Sequence, residues 1–222
     1  MEKRIHQILT DIERVQENLL ALSDDIWLNI EHNDSQALQK GVEFKLVFNQ
    51  KLDNFNQNAG EISQLIEQFT DIHIEAVDVA QEGTPEHERI IQELDTTQAY
   101  TLDKNFTYKR PYSFILQGQA YKGINTWRHL FELFCKQLAA KNINRFQEFV
   151  DSSDAKTVRG GVFFSRDKNS LRKAIEINCG ICAEGNLSAN AIRDRIKLLL
   201  SAFEIESSEF LLYLREDRNA GE

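Results

Sequence analysis

The chain has 222 residues, three cysteines and two prolines, with 41% hydrophobic and 27% charged side chains, which bounds it to one domain with an extension or two small domains. No run approaches the roughly 20 apolar residues of a bilayer-spanning helix, the N-terminus has no signal-peptide core, and the odd cysteine count is no disulfide framework, so a reducing cytoplasm is expected. The net charge of −9 conceals a split: residues 1–103 carry 21 acidic and 7 basic side chains, residues 104–203 carry 8 and 17, and residues 204–222 carry 6 and 2.

The first element is a heptad-patterned helix. Ile5, Ile8, Ile12, Val15, Leu19, Leu22 and Ile26 follow one another at alternating steps of three and four, as a and d positions must. After the polar break Glu31-His32-Asn33-Asp34, where Asn33 or Asp34 fits an N-cap, Phe48, Leu52, Phe55, Ala59, Ile62, Ile66 and Phe69 resume the pattern. Two helices of about 25 and 35 residues joined by a short turn predict an antiparallel, coiled-coil-like hairpin over residues 1–75. The seam can close within one chain or between chains, and the Phe-rich second stripe is bulky enough to pack on more than one neighbour. Lys45 on an a position and Gly60 within the second helix are its imperfections, the latter able to weaken it by up to about 1 kcal/mol.

Residues 76–107 read as a linker with one short helix. Thr84-Pro85-Glu86 combines an N-cap, proline at the first helical position and an acid in the first turn, with Ile90, Ile91 and Leu94 as the apolar side. Residues 95–107 are polar.

From residue 108 the period changes, and a small α+β head is predicted over 108–222. Phe114 and Leu116 before Gln117-Gly118-Gln119, then Ala120-Tyr121, read as a β-hairpin. Asn125-Thr126 caps a helix whose inner face is Trp127, Leu130, Phe131, Phe134, Cys135 and Leu138. A short helix over 143–150, a strand at Val162-Phe163-Phe164, one extended piece over 175–183, a helix from Asn186 or Ser188 through Phe203, and a closing strand at 210–214 complete it.

Phe114-x-Leu116-x-Gly118-x-x-Tyr121, Thr126-Trp127, Phe163-Phe164-Ser165 and Asn186-Leu187-Ser188-Ala189-Asn190-x-Ile192 together resemble a module recurring in uncharacterised bacterial proteins, some linked to restriction and phage defence. The resemblance covers about 110 residues of the head. It implies a bacterial source and a nucleic-acid or defence-complex partner, and it supplies no catalytic residues.

The candidate nucleic-acid-binding set is Lys109, Arg110, Lys122, Arg128, Lys156, Arg159, Arg166, Lys168, Arg172, Lys173, Arg193 and Lys197. Clustered cations attract phosphate and release counterions. Arg159 is sharpest, because Gly160-Gly161 lets a phosphate reach backbone N–H groups. Arg193 and Lys197 share a helix face, the Ser188 helix start suits an anion, and Tyr108, Tyr112 and Tyr121 would stack on bases if exposed. The alternative is that these cations are a solvated face or dock on an acidic surface, of which the arm is one.

Cys179-Gly180-Ile181-Cys182, with His129 and Cys135, offers four zinc-type ligands without supporting spacing, and as a redox pair it lacks a βαβ setting. Structural thiols, with no metal and no cofactor, are the expected reading. His32-Asn33-Asp34 has nuclease-like letters explained by capping. Glu43-Phe44-Lys45 copies a nuclease carboxylate–lysine spacing but lies in a helix, and Glu184 has no partner carboxylate. No cofactor loop occurs. The sequence thus predicts a non-enzymatic accessory or assembly subunit of a nucleic-acid-directed system, its head on DNA or RNA phosphates and its arm joining copies or protein partners. The alternative is an adaptor or oligomeric scaffold without nucleic-acid contact.

Overall fold

A computed structural model describes residues 1–72, 78–80, 84–95, 99–156, 162–178 and 180–216. The chain divides into two compact units, Met1–Glu75 and Ala76–Glu222. The class is α+β, with long N-terminal helices followed by a sheet-containing head.

The first unit is the helical arm. Helix α1 spans Glu2–Leu28 and α2 spans Ser35–Thr70. Asp34 caps α2, its Oδ1 accepting from Gln36 N at 2.9 Å. The helices run antiparallel, since Gly41 approaches Ile30 near the turn and Lys45 reaches further back along α1 to Ser23 and Asp24. Lys45 Nζ lies 2.7 Å from Ser23 Oγ and 2.9 Å from Asp24 Oδ1, so the cation on an a position is held by a hydroxyl and a carboxylate of the opposite helix.

The seam differs from a closed a/d interface. Leu52 and Ala59 are buried, yet Ile8, Val15 and Leu22 remain 45%, 45% and 41% exposed. Of the d positions of α2, Phe55, Ile62 and Phe69 are exposed and Phe48 is half-buried. Buried α1 positions instead include Leu9, Ser23 and Ala21 alongside Glu13, Gln16 and Glu17.

In the second unit, β1 (Asp78–Ala80), β2 (Lys109–Leu116), β3 (Gln119–Lys122) and β7 (Phe210–Glu216) form an antiparallel sheet in the order β1-β3-β2-β7. The β2–β3 hairpin turns on Gln117 and Gly118, both at positive φ (48° and 80°), the mirror-image turn that matches strand twist. Helix α3 (Pro85–Asp95) starts as its sequence predicts, Thr84 Oγ1 accepting from His87 N at 3.2 Å. Its Ile90 packs with Ile115, Ala120 and Tyr213 on one face of the sheet. Phe114, Leu116 and Leu212 point to the main core on the other. A sheet covered on both faces needs apolar side chains at successive positions, which is why Phe114, Ile115 and Leu116 run without polar alternation.

Helices α4 (Trp127–Lys141), α5 (Ile143–Asp151) and α6 (Ala189–Ala202) enclose that core. Thr126, Asn142 and Ser188 cap them through side-chain oxygens. A second sheet, β4 (Phe164–Ser165), β6 (Ile181–Glu184) and β5 (Ala174–Ile177) in that order, closes over Phe131, Phe146 and Phe149, which cluster around Phe164. The single extended piece expected over 175–183 is instead a hairpin of β5 and β6, with Ile177 paired to Ile181 and Gly180 at φ 70°. Residues read as polar linker also contribute to the head, where Leu102 and Phe106 are buried and Phe106 stacks on Trp127 at 5.2 Å.

Candidate functional site

The head's predicted cations fall into three settings. On α6, Arg193 and Lys197 do share a face, but both are committed to the chain segment before β2. Arg193 Nη1 donates to Lys104 O (2.7 Å) and Asn190 Oδ1 (3.1 Å), while its Nε donates to Asp194 Oδ1 (2.9 Å). Lys197 Nζ pairs with Asp103 at 2.7 Å, and that hydrogen bond and charge hold the Asp103 carboxyl below its ordinary pKa. Asn190 completes the fastening, accepting from Phe106 N and donating to Asn105 Oδ1 and Thr107 Oγ1. The start of α6 gives its N–H to Ser188 Oγ, and Ser188 is itself buried.

The second setting is the β4–β6 region. Arg166 grips Asp151 with two bonds of 2.6 and 3.0 Å, lowering the pKa of that carboxyl, chiefly through the hydrogen bond. Arg172 lies beside Glu184, with Nε 3.7 Å from Oε2 and Nη2 3.3 Å from Asn186 O. Lys173 meets the same carboxylate through its backbone N–H at 3.2 Å. Lys168 is exposed at the start of a short 3-10 turn, and Lys156 is exposed beside its bridge to Val162.

The third setting surrounds β2 and β3. Lys109 Nζ sits 4.9 Å over the Tyr100 ring, Arg110 is buried, and Lys122 is half-buried on β3. Arg128 is also half-buried, and desolvation pushes its guanidinium pKa down against the opposing pull of Glu132. Tyr121 is buried and stacked on Phe114 at 4.4 Å, so its ring is used inside the core; Tyr108 and Tyr112 are half-exposed. Arg159 and Gly160-Gly161 lie outside the described residues.

The structure therefore places Arg166, Arg172, Arg193 and Lys197 in ion pairs within the head. Two arginines absent from the sequence-based set are also engaged within the head, one in an ion pair and one on a ring. Arg145 donates to Ala202 O (2.6 Å) and Glu204 (2.6 Å), and Arg195 stacks 3.7 Å over Phe163. No linear spacing links Arg145 to Glu204, whose approach depends on how α5 meets the end of α6.

Cys135 and Cys182 are buried free thiols, both with pKa raised, Cys135 strongly, by burial. Cys179 lies outside the described residues, among which no group of three or more His, Cys, Asp or Glu converges on a common point. Glu184 is a structural carboxylate, accepting the backbone N–H groups of Arg172, Lys173 and Asn186. His32 packs edge-on against Trp27, and Lys45 of the Glu43-Phe44-Lys45 triplet faces Ser23 and Asp24. A groove of about 760 Å³ runs beside α6, with Tyr100, Asp103, Lys197, Glu204 and Phe210 in its walls. No helix among the described residues is long and apolar enough to cross a membrane.

The fold defines an α+β protein carrying a helical hairpin. Family models, curated proteins and solved structures give no match to this chain.

Proposed function

We propose that the chain is an assembly subunit that binds protein through its helical arm. One observation carries this reading: each arm helix has exposed apolar side chains that share one of its faces, Ile8, Val15 and Leu22 at i, i+7 and i+14 on α1, and Ile62, Leu65 and Phe69 at i, i+3 and i+7 on α2, the last three at 51%, 65% and 93% exposure. Exposed apolar side chains that share a helix face mark an interaction surface, since isolated ones are ordinary but clustered ones are not. The pairing of Arg166, Arg172, Arg193 and Lys197 with carboxylates of the head supports the same preference, because a cation already neutralised has less to give a phosphate.

A photoreactive residue at Leu65, compared with one at Lys168, tests the proposal in cells expressing the full chain. Protein adducts through position 65 are expected. Absence of protein adducts there, with nucleic-acid adducts through position 168, overturns it.

A second reading, a head that contacts DNA or RNA, is favoured by the excess of 17 basic over 8 acidic side chains in residues 104–203. Binding of the full chain to labelled DNA and RNA across a salt series tests it, with affinity falling steeply as salt rises if phosphates are engaged.

A further inference from the structure

The exposed flank of α1 is self-complementary. Ile5, Ile8, Ile12, Val15, Leu19 and Leu22 are separated by steps of three, four, three, four and three, a series that reads the same from either end. Two such helices laid antiparallel with a dyad between Glu13 and Arg14 therefore match Ile5 with Leu22, Ile8 with Leu19 and Ile12 with Val15, each a position facing a d position. The same register sets Met1 opposite Ile26. An interface about a two-fold axis requires that one patch fit itself, and this stripe does.

The charges agree with that register and oppose its parallel counterpart. α1 carries Lys3 and Arg4 at its start and Asp24 and Asp25 near its end. In the antiparallel register the g position Arg4 falls across from the g position Asp25 of the second copy, twice by symmetry. A parallel pair would place the two basic ends together and the two acidic ends together. Asp24 is engaged by Lys45 within the arm, whereas Lys3, Arg4 and Asp25 hold no ion pair among the described residues. Ile8, Val15 and Leu22 are exposed, with Ile5, Ile12 and Leu19 half-buried beside them.

We infer that two copies of this chain pair through α1, antiparallel, with the Ile5–Leu22 stripe as the seam and Arg4–Asp25 contacts at both ends. The inference rests on the arm being an assembly surface and names the occupant as a second copy. Sedimentation velocity of the purified full chain over a concentration series tests it, at low and at moderate salt. A dimer is expected. Arg4→Asp and Asp25→Arg should each weaken it at low salt by about three- to tenfold, and the double variant should restore it. Val15→Asp should weaken it by at least about tenfold, because the new carboxylate is desolvated beside Ile12 of the other copy. Circular dichroism confirms that each variant remains helical.

A chain that stays monomeric at all concentrations overturns the inference. So does a dimer indifferent to the charge exchange and to Val15→Asp, which would pair through another face. Either result leaves the assembly reading standing if position 65 still yields protein adducts, and both readings fall if it does not.

Discussion

Glu184 meets Arg172 through the backbone before it meets the side chain: Oε2 lies 2.9 Å from Arg172 N and 3.7 Å from Arg172 Nε. The other oxygen, Oε1, takes Asn186 N at 2.7 Å and Lys173 N at 3.2 Å. A buried carboxylate at the end of β6 thus ties down both the chain entering β5 and the chain leaving β6. The guanidinium above it, half exposed, is a secondary partner.

This ordering separates two substitutions. Glu184→Ala leaves three backbone N–H groups short of an acceptor at a buried site and should destabilise the protein by about 3 kcal/mol. Arg172→Ala removes a partly exposed ion-pair partner and should cost no more than about 1 kcal/mol. Urea unfolding of the two variants measures the difference.

The two arm glycines should respond in opposite directions to the same substitution. A Cβ at Gly60 meets nothing within 4 Å, and its φ is not in the left-handed region. Gly60→Ala should therefore stabilise α2 by about 1 kcal/mol through helix propensity. At Gly41 a Cβ would stand 2.2 Å from Ile30 Cδ1, so Gly41→Ala must displace Ile30 from the contact near the turn. Thermal unfolding by circular dichroism should show a raised midpoint for the first and a lowered one for the second.

Tyr121 supplies a pH dependence. Desolvation pushes its phenol from 10.0 up to about 12. The folded state thus holds the proton more tightly than the unfolded chain, so this group's stabilisation is complete below pH 10 and is lost as pH rises through about 12. Tyr121→Phe keeps the stack on Phe114 and removes the titrating hydroxyl, so stability should fall less between those two values than in the parent. Denaturant unfolding at stepped alkaline pH measures it.

Cys135 should be the slow thiol. It is fully buried on the inner face of α4, and burial, with a smaller contribution from Glu132, holds its pKa well above 9.0. Since the thiolate is the nucleophile, Cys135 should remain unalkylated at pH 8 in the native protein and react on unfolding. Peptide mapping after iodoacetamide treatment reads this site directly; rapid native labelling of Cys135 would contradict the packing described for α4.

Much of the local structure was legible because it is governed by neighbours in sequence. Asp34, Thr84, Thr126 and Ser188 begin helices since a short polar side chain there accepts from an N–H two or three residues on, a relation contained within one turn. Gln117-Gly118 marks the β2–β3 turn for the same reason. The reading of 175–183 as one extended piece passed over the turn that Asn178 and Gly180 mark, Gly180 taking the positive φ of 70° that lets Ile177 pair with Ile181.

The charge split, the heptad stripes, the capped helices and the α+β class were determined by the sequence alone, since composition and short-range spacing suffice for them. Only the tertiary structure decided what those features are used for. Arg193 and Lys197 share a face by helical geometry, but that they fasten Lys104 and Asp103 across some ninety residues depends on how the chain before β2 packs on α6. Likewise, Ile8, Val15 and Leu22 hold d positions by spacing, yet the folded chain leaves them exposed and buries Leu9, Ala21 and Ser23 of α1 instead. A heptad specifies an apolar stripe; which neighbour covers it is set by the packing of whole helices, a relation that spacing along one helix does not contain.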